Sequence, residues 1–177
     1  ISDVTFDTSN VLQQKLDNLL RLAKKDKYVD SRDIIYAAAA KVALDMKNPA
    51  LAEKLLQKSI ETSVDNPKQK SLSFLALADM NYDKNIFIQA KNFYDSTETS
   101  SMDSVEKSRV NFRLPPLTTI ATNLTTISTQ DSLQALAKLS EQDRNAAVKK
   151  MVRYLRKLKG LADEPEININ AAVQNQA

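Results

Sequence analysis

An all-α fold, built from antiparallel helical hairpins stacked side by side with capping helices, is predicted by three observations. First, one glycine and five prolines in 177 residues leave too few turn residues for a β sandwich or barrel. Second, hydrophobic residues make up 42% of the chain and recur at helical rather than alternating spacing. Third, two stretches repeat at an offset of 38: Ala52 and Leu56 in "NPALAEKLLQKSIE" correspond to Ala90 and Tyr94 in "NIFIQAKNFYDSTE".

The elements follow in order. After an extended start, "SNVLQQKLDNLLRLAKKDK" places Val11, Leu12, Leu16, Leu19, Leu20 and Leu22 near one face of a helix, with Ser9 or Asn10 as N-cap. A second helix begins near Ser31 with the stripe Ile34, Ile35, Tyr36, Ala39, Val42, Ala43 and Met46. Pro49 ends that pattern and opens a helix to about Ser63, since proline suits a first turn and disrupts an interior. Two more helices are expected over about Lys68 to Met80 and Asn85 to Glu98. Between the hairpins the offset of 38 pairs Tyr36, Ala39, Ala40 and Ala43 with Phe74, Leu77, Ala78 and Asn81. Small residues at helix crossings permit close approach. Asn81 falls where a large apolar residue is expected.

Beyond residue 100 the repeat fades. A helix capped by Ser101 or Asp103 is expected to end at Pro115 and Pro116, and a Thr-rich one to restart with Leu117, Ile120, Leu124 and Ile127 on one face. "DSLQALAKL" reads as a short helix with Leu133, Leu136 and Leu139 inward. Ser140 and Asp143 resemble a capping box, opening a long helix whose inward stripe is Ala146, Ala147, Met151, Val152, Leu155 and Leu158, stopped by Gly160. The organisation is thus 1–28, an extended segment and helix; 29–66 and 67–100, the two hairpins; 101–160, C-terminal helices; and 161–177, an Asn/Gln-rich flexible tail.

The hairpins resemble the tetratricopeptide repeat, which implies a short right-handed solenoid with capping helices; the surplus over the usual period of about 34 fits a longer turn through Ser63 to Pro67. A closer resemblance lies in "KQKSLSFLALADMNYDKNIFIQAKNFYDSTE" followed by "ISTQDSLQALAKLSEQDRNAAVKKM". Together they are similar to the periplasmic, repeat-containing lipoproteins of Bacteroidetes of the SprE or PorW type. That resemblance implies an outer-membrane-associated component of gliding motility or type IX secretion, with envelope proteins as partners and membrane association only through flanking regions. It supplies no catalytic residue. The opening "ISDVTFDTSN" has no initiator Met, basic n-region or apolar h-region and reads as the start of an excised piece. "DST" at 95–97, "DSV" at 103–105 and "DSL" at 131–133 look like Bacteroidetes O-glycosylation sites.

Chemistry is constrained by what is missing. With no histidine and no cysteine, Ser-His-Asp, Cys-His and His-metal constellations are impossible, and no cofactor or metal is called for. Asp79 and Asp83, at i and i+4, share a helix face as an acid/base or cation-binding pair would, though two solvated charges at a helix end explain them more simply. Lys149, Lys150, Arg153, Arg156, Lys157 and Lys159 form a cationic run. It reads as a solvated outer face near a helix C-terminus, with no aromatic row for nucleic acid.

The expected function is therefore that of a non-catalytic protein-binding scaffold. Its concave face would be formed by the first helix of each hairpin and would present Ile34, Ala37, Lys41, Asp45, Leu72, Leu75, Asp79 and Tyr82. The alternative is a cytoplasmic or membrane-surface adaptor using the basic C-terminal helix.

Overall fold

A computed structural model describes residues 8–158 and is helical throughout, with no strand among the described residues. The helices are α1 (Thr8–Ala23), α2 (Arg32–Asp45), α3 (Pro49–Thr62), α4 (Pro67–Asp83), α5 (Phe87–Asp95), α6 (Ser104–Ala137) and α7 (Glu141–Leu158). Short 3₁₀ segments at Asp26–Ser31 and Thr99–Ser101 precede α2 and α6. Gly160, Lys159 and the 161–177 tail lie outside the described residues. The chain divides into two compact units, 1–124 and 125–177.

Local sequence explains the hairpins. Asn48 and Asn66 each stand before a proline at the first helical position. Their side chains accept from the backbone N–H of Leu51 and of Gln69, both at 3.1 Å, so an orphan donor at each helix start is satisfied. The turns that close α2 and α4 are the same structure. Lys47 and Asn85 take the left-handed conformation, at φ 56° and 59°. The N–H of Asn48 then donates to the carbonyl of Ala43 and that of Ile86 to Asn81, both at 2.9 Å. Lys47 to Leu44 and Asn85 to Tyr82 complete two Schellman motifs, again 38 residues apart. Asn85 therefore lies outside α5, which starts at Phe87 behind Ile86, a residue unable to cap, and ends at Asp95 rather than Glu98.

The offset carries into the core. Ala39 and Leu77, Ala40 and Ala78, Ala52 and Ala90, and Leu56 and Tyr94 are all buried. One core cluster joins Leu16 of α1 to α2, α3 and Leu77; a second joins Leu75, Ala78, Ala90 and Tyr94 to Met102 and to Val110 and Leu117 of α6. Asn81 is tolerated at an apolar position because its Nδ2 donates to the Leu77 carbonyl at 2.8 Å. Between the hairpins runs a buried polar seam that the sequence pattern did not mark. The Ser59 hydroxyl donates to the Asp33 carbonyl at 2.8 Å and lies 2.8 Å from the Ser73 hydroxyl. The Ser63 hydroxyl reaches the Asp33 carboxylate at 3.2 Å. No buried side-chain polar atom among the described residues lacks a partner, so the seam ties α2, α3 and α4 without an unpaired group.

From residue 104 onward the expected boundaries need correction. Asp103 caps α6 in a full capping box: its side chain accepts from the Glu106 N–H at 2.8 Å, and Glu106 accepts from the Asp103 N–H at 2.9 Å. The helix then continues through Pro115 and Pro116 to Ala137, where three separate helices were expected. Pro115 and Pro116 are exposed, as are Asn111 and Phe112, the residues whose carbonyls lose a helical donor to the two prolines. Leu114 and buried Leu117 anchor the helix on both sides of the pair. Its threonines turn inward on the helix itself, with the hydroxyls of Thr118, Thr122 and Thr129 donating to carbonyls four residues back at 2.8 to 2.9 Å.

In the second unit, Leu133 and Leu139 are exposed rather than inward. Ser140 caps α7, accepting from the Asp143 N–H at 3.2 Å, and its hydroxyl donates to the Asp143 carboxylate at 2.7 Å. Arg144 closes the end of α6 by donating to the carbonyls of Leu136, Ala137 and Leu139. Of the expected apolar stripe of α7, Met151, Val152 and Leu155 are 46 to 49% exposed.

Candidate functional site

Helix periodicity brings two faces together in the first unit. Positions 34, 37, 38 and 41 of α2 and positions 69, 72, 73, 76 and 79 of α4 line one cavity of about 620 Å³, with Leu56 and Leu75 in its floor and Glu106 and Arg109 of α6 at its end. Of the residues predicted for the concave face, Ile34, Ala37, Lys41, Leu72, Leu75 and Asp79 are in this lining. Ile34 is half exposed, Leu75 is buried, and Lys41 is exposed. The groove thus offers an apolar strip between α2 and α4 with exposed Lys41 for polar contact, while Gln69 already donates to Ser73 and Glu106 accepts from the Asp103 N–H.

Asp45 and Tyr82 are placed elsewhere. Asp45 is exposed at the last turn of α2 and outside the lining. Tyr82 is half-buried, with its ring 4.3 Å beneath the Arg113 guanidinium and edge-on to Phe87 at 6.1 Å.

Asp79 proves to be the hub of a charged cluster. One carboxylate oxygen accepts from Arg109 at 2.7 Å, and the other accepts from Arg113 at 2.8 Å and from the Tyr94 hydroxyl. Arg113 also donates to the Tyr94 oxygen at 3.1 Å. Burial, and then the bond to Asp79, push the Tyr94 hydroxyl well above its ordinary value of 10.0, with Arg113 opposing. The bond to Tyr94 in turn raises Arg113 above its ordinary value. Asp79 is therefore committed to three partners, while Asp83, one turn further on, is exposed. Among the described residues no group of three or more potential metal-binding side chains converges.

Sequence reasoning missed Gln69, Glu106 and Arg109 in the groove and Tyr94 and Arg113 behind it. The last three are separated from Asp79 by 15 to 34 residues, and no periodic pattern links them. The i, i+3 and i+4 spacing of Asn66, Gln69 and Ser73 could have flagged Gln69 on the α2-facing side of α4. Comparisons with protein families, with curated proteins and with solved structures returned no match.

Proposed function

We propose that this chain is a non-catalytic protein-binding scaffold and that the groove between α2 and α4 receives an extended segment or helix of a partner protein. The observation that carries this is the groove itself: about 620 Å³ of open space with an apolar strip and charges at its edges. Apolar anchors in such a groove supply affinity, and rim charges fix register. Its walls are preorganised, because the polar seam fixes α2 against α4 and the Asp79 cluster fixes α4 against α6.

The repeated Schellman turns and matched buried positions support a tetratricopeptide-like stack, extended by α1 and α6 as caps. On the resemblance drawn from the sequence, the setting proposed is the periplasm at the outer membrane, within a gliding or type IX secretion assembly. A peptide-display selection on the purified chain tests the groove. Peptides so selected should lose binding to Ile34→Asp with Lys41→Glu by about 2 kcal/mol or more and retain it for Asp45→Ala. Equal binding to all three proteins would assign recognition to another face.

A further inference from the structure

The helix α7 contributes no residue to the lining of the groove. This helix carries six Lys and Arg against two carboxylates, both in its first turn, so it holds more positive charge than the net +3 of the whole chain. No acidic residue occurs between Arg144 and Leu158. At 100° per residue, Val148, Met151, Val152, Tyr154 and Leu155 fall within an arc of about 160°, and Lys149, Lys150, Arg153 and Lys157 within the opposite arc of about 100°. All five residues of the apolar arc are at least 43% exposed, Tyr154 at its edge reaching 63%. The sequence led to the expectation that this stripe would be covered, leaving the cations as a solvated outer face. The structure leaves the apolar arc about half exposed, with Lys149, Lys150 and Lys157 exposed beside it.

We infer that α7 is an interfacial helix that lies on an anionic lipid surface, its Met151/Leu155 face entering the headgroup boundary and its flanking lysines meeting lipid phosphates. Three features select this occupant. A segregated apolar and cationic helix of low overall hydropathy is the composition that binds in the plane of a membrane. A tyrosine at the edge of the apolar arc suits the interface, where amphipathic rings settle. No helix among the described residues is long and apolar enough to cross a bilayer, so the contact is one of lying on the surface.

Other occupants fit less well. Nucleic acid would engage the cationic arc and leave the apolar one in water. A second copy packed arc to arc would bring lysine rims together with no carboxylate between residues 144 and 158 to pair them.

Vesicle co-sedimentation of the full chain tests this. With phosphatidylcholine vesicles containing about one-third phosphatidylglycerol, binding should be strong at about 0.1 M salt and fall at least about tenfold at about 0.5 M. It should be absent with phosphatidylcholine alone. The chain has no tryptophan, so Tyr154→Trp gives a single fluorophore whose emission should shift to the blue on binding. Met151→Glu with Leu155→Glu should abolish binding. Lys149→Glu with Lys150→Glu, which leaves the apolar arc intact, should weaken it more than about tenfold. Both variants should keep the parent's helicity by circular dichroism, and if the first loses it, the charge-reversed pair decides. The inference is overturned by no binding to anionic vesicles, by binding that survives both variants, by binding to duplex DNA but not to vesicles, or by a dimer that Met151→Glu with Leu155→Glu converts to monomer without any vesicle binding.

Discussion

Replacing Asp79 by alanine would remove one acceptor from three donors at once. The Asp79 side chain is 20% exposed, and those of Arg113 and Arg109 are 26% and 43%. The Tyr94 hydroxyl, on a residue only 1% exposed, would lose the acceptor for its proton; a hydrogen bond to a charged group contributes about 1.5 to 3 kcal/mol. The partly buried Arg113 pair adds about 1 kcal/mol, while the Arg109 pair, more open to solvent, adds little. The expected loss is about 3 kcal/mol, a fall of about 10 °C in melting temperature for a unit of this size. Tyr94→Phe spares both Asp79–arginine pairs and loses only the hydroxyl's bonds to Asp79 and Arg113, leaving no buried group unpaired, so it should cost only about 1 kcal/mol. Because the two substitutions remove the same bond, the double variant should fall short of additivity by about 1 kcal/mol. Thermal melts followed by circular dichroism, with urea titrations for the free energies, measure all three proteins. An Asp79→Ala melt within about 2 °C of the parent, or strict additivity with Tyr94→Phe, would refute the view that this cluster holds α6 onto α4.

Three further outcomes are expected. Ala78→Leu and Ala90→Leu, at fully buried crossing points, should each cost about 1 to 3 kcal/mol by overpacking, and unchanged melts would show that the hairpins do not cross there. Lys47→Gly should stabilise the chain by up to about 1 kcal/mol in urea titration, and Asn85→Gly by less. Both sit at positive φ, but asparagine tolerates the left-handed conformation better than lysine does. Stability should also fall as pH rises above 10. The unfolded phenol of Tyr94 ionises there, while the folded one keeps its proton, so the folded state binds more protons and loses up to about 1.4 kcal/mol per pH unit. Comparing urea midpoints at about pH 9 and about pH 11 should show this part of the decline missing from Tyr94→Phe.

The residues themselves determined the all-helical class, the Asn-Pro helix starts, the Asp103 and Ser140 caps and the offset of 38. Each of these is written within a few positions or in a regular period. The faces of α2 and α4 were legible for the same reason, and six of the predicted groove residues follow directly from helical spacing. Only the tertiary structure decided the rest. Asp79 changes from a groove acid to a neutralised hub because Arg109 and Arg113 arrive from 30 and 34 residues away. Asp33 is buried because Ser63, 30 residues on, satisfies it. Local propensity would break α6 at Pro115, yet Leu114 and Leu117 pack on both sides of the pair and the prolines themselves stay exposed, so the helix persists. Periodicity correctly placed an apolar stripe on α7, but whether a stripe is covered depends on what lies opposite it, and amphipathic spacing carries no information about that.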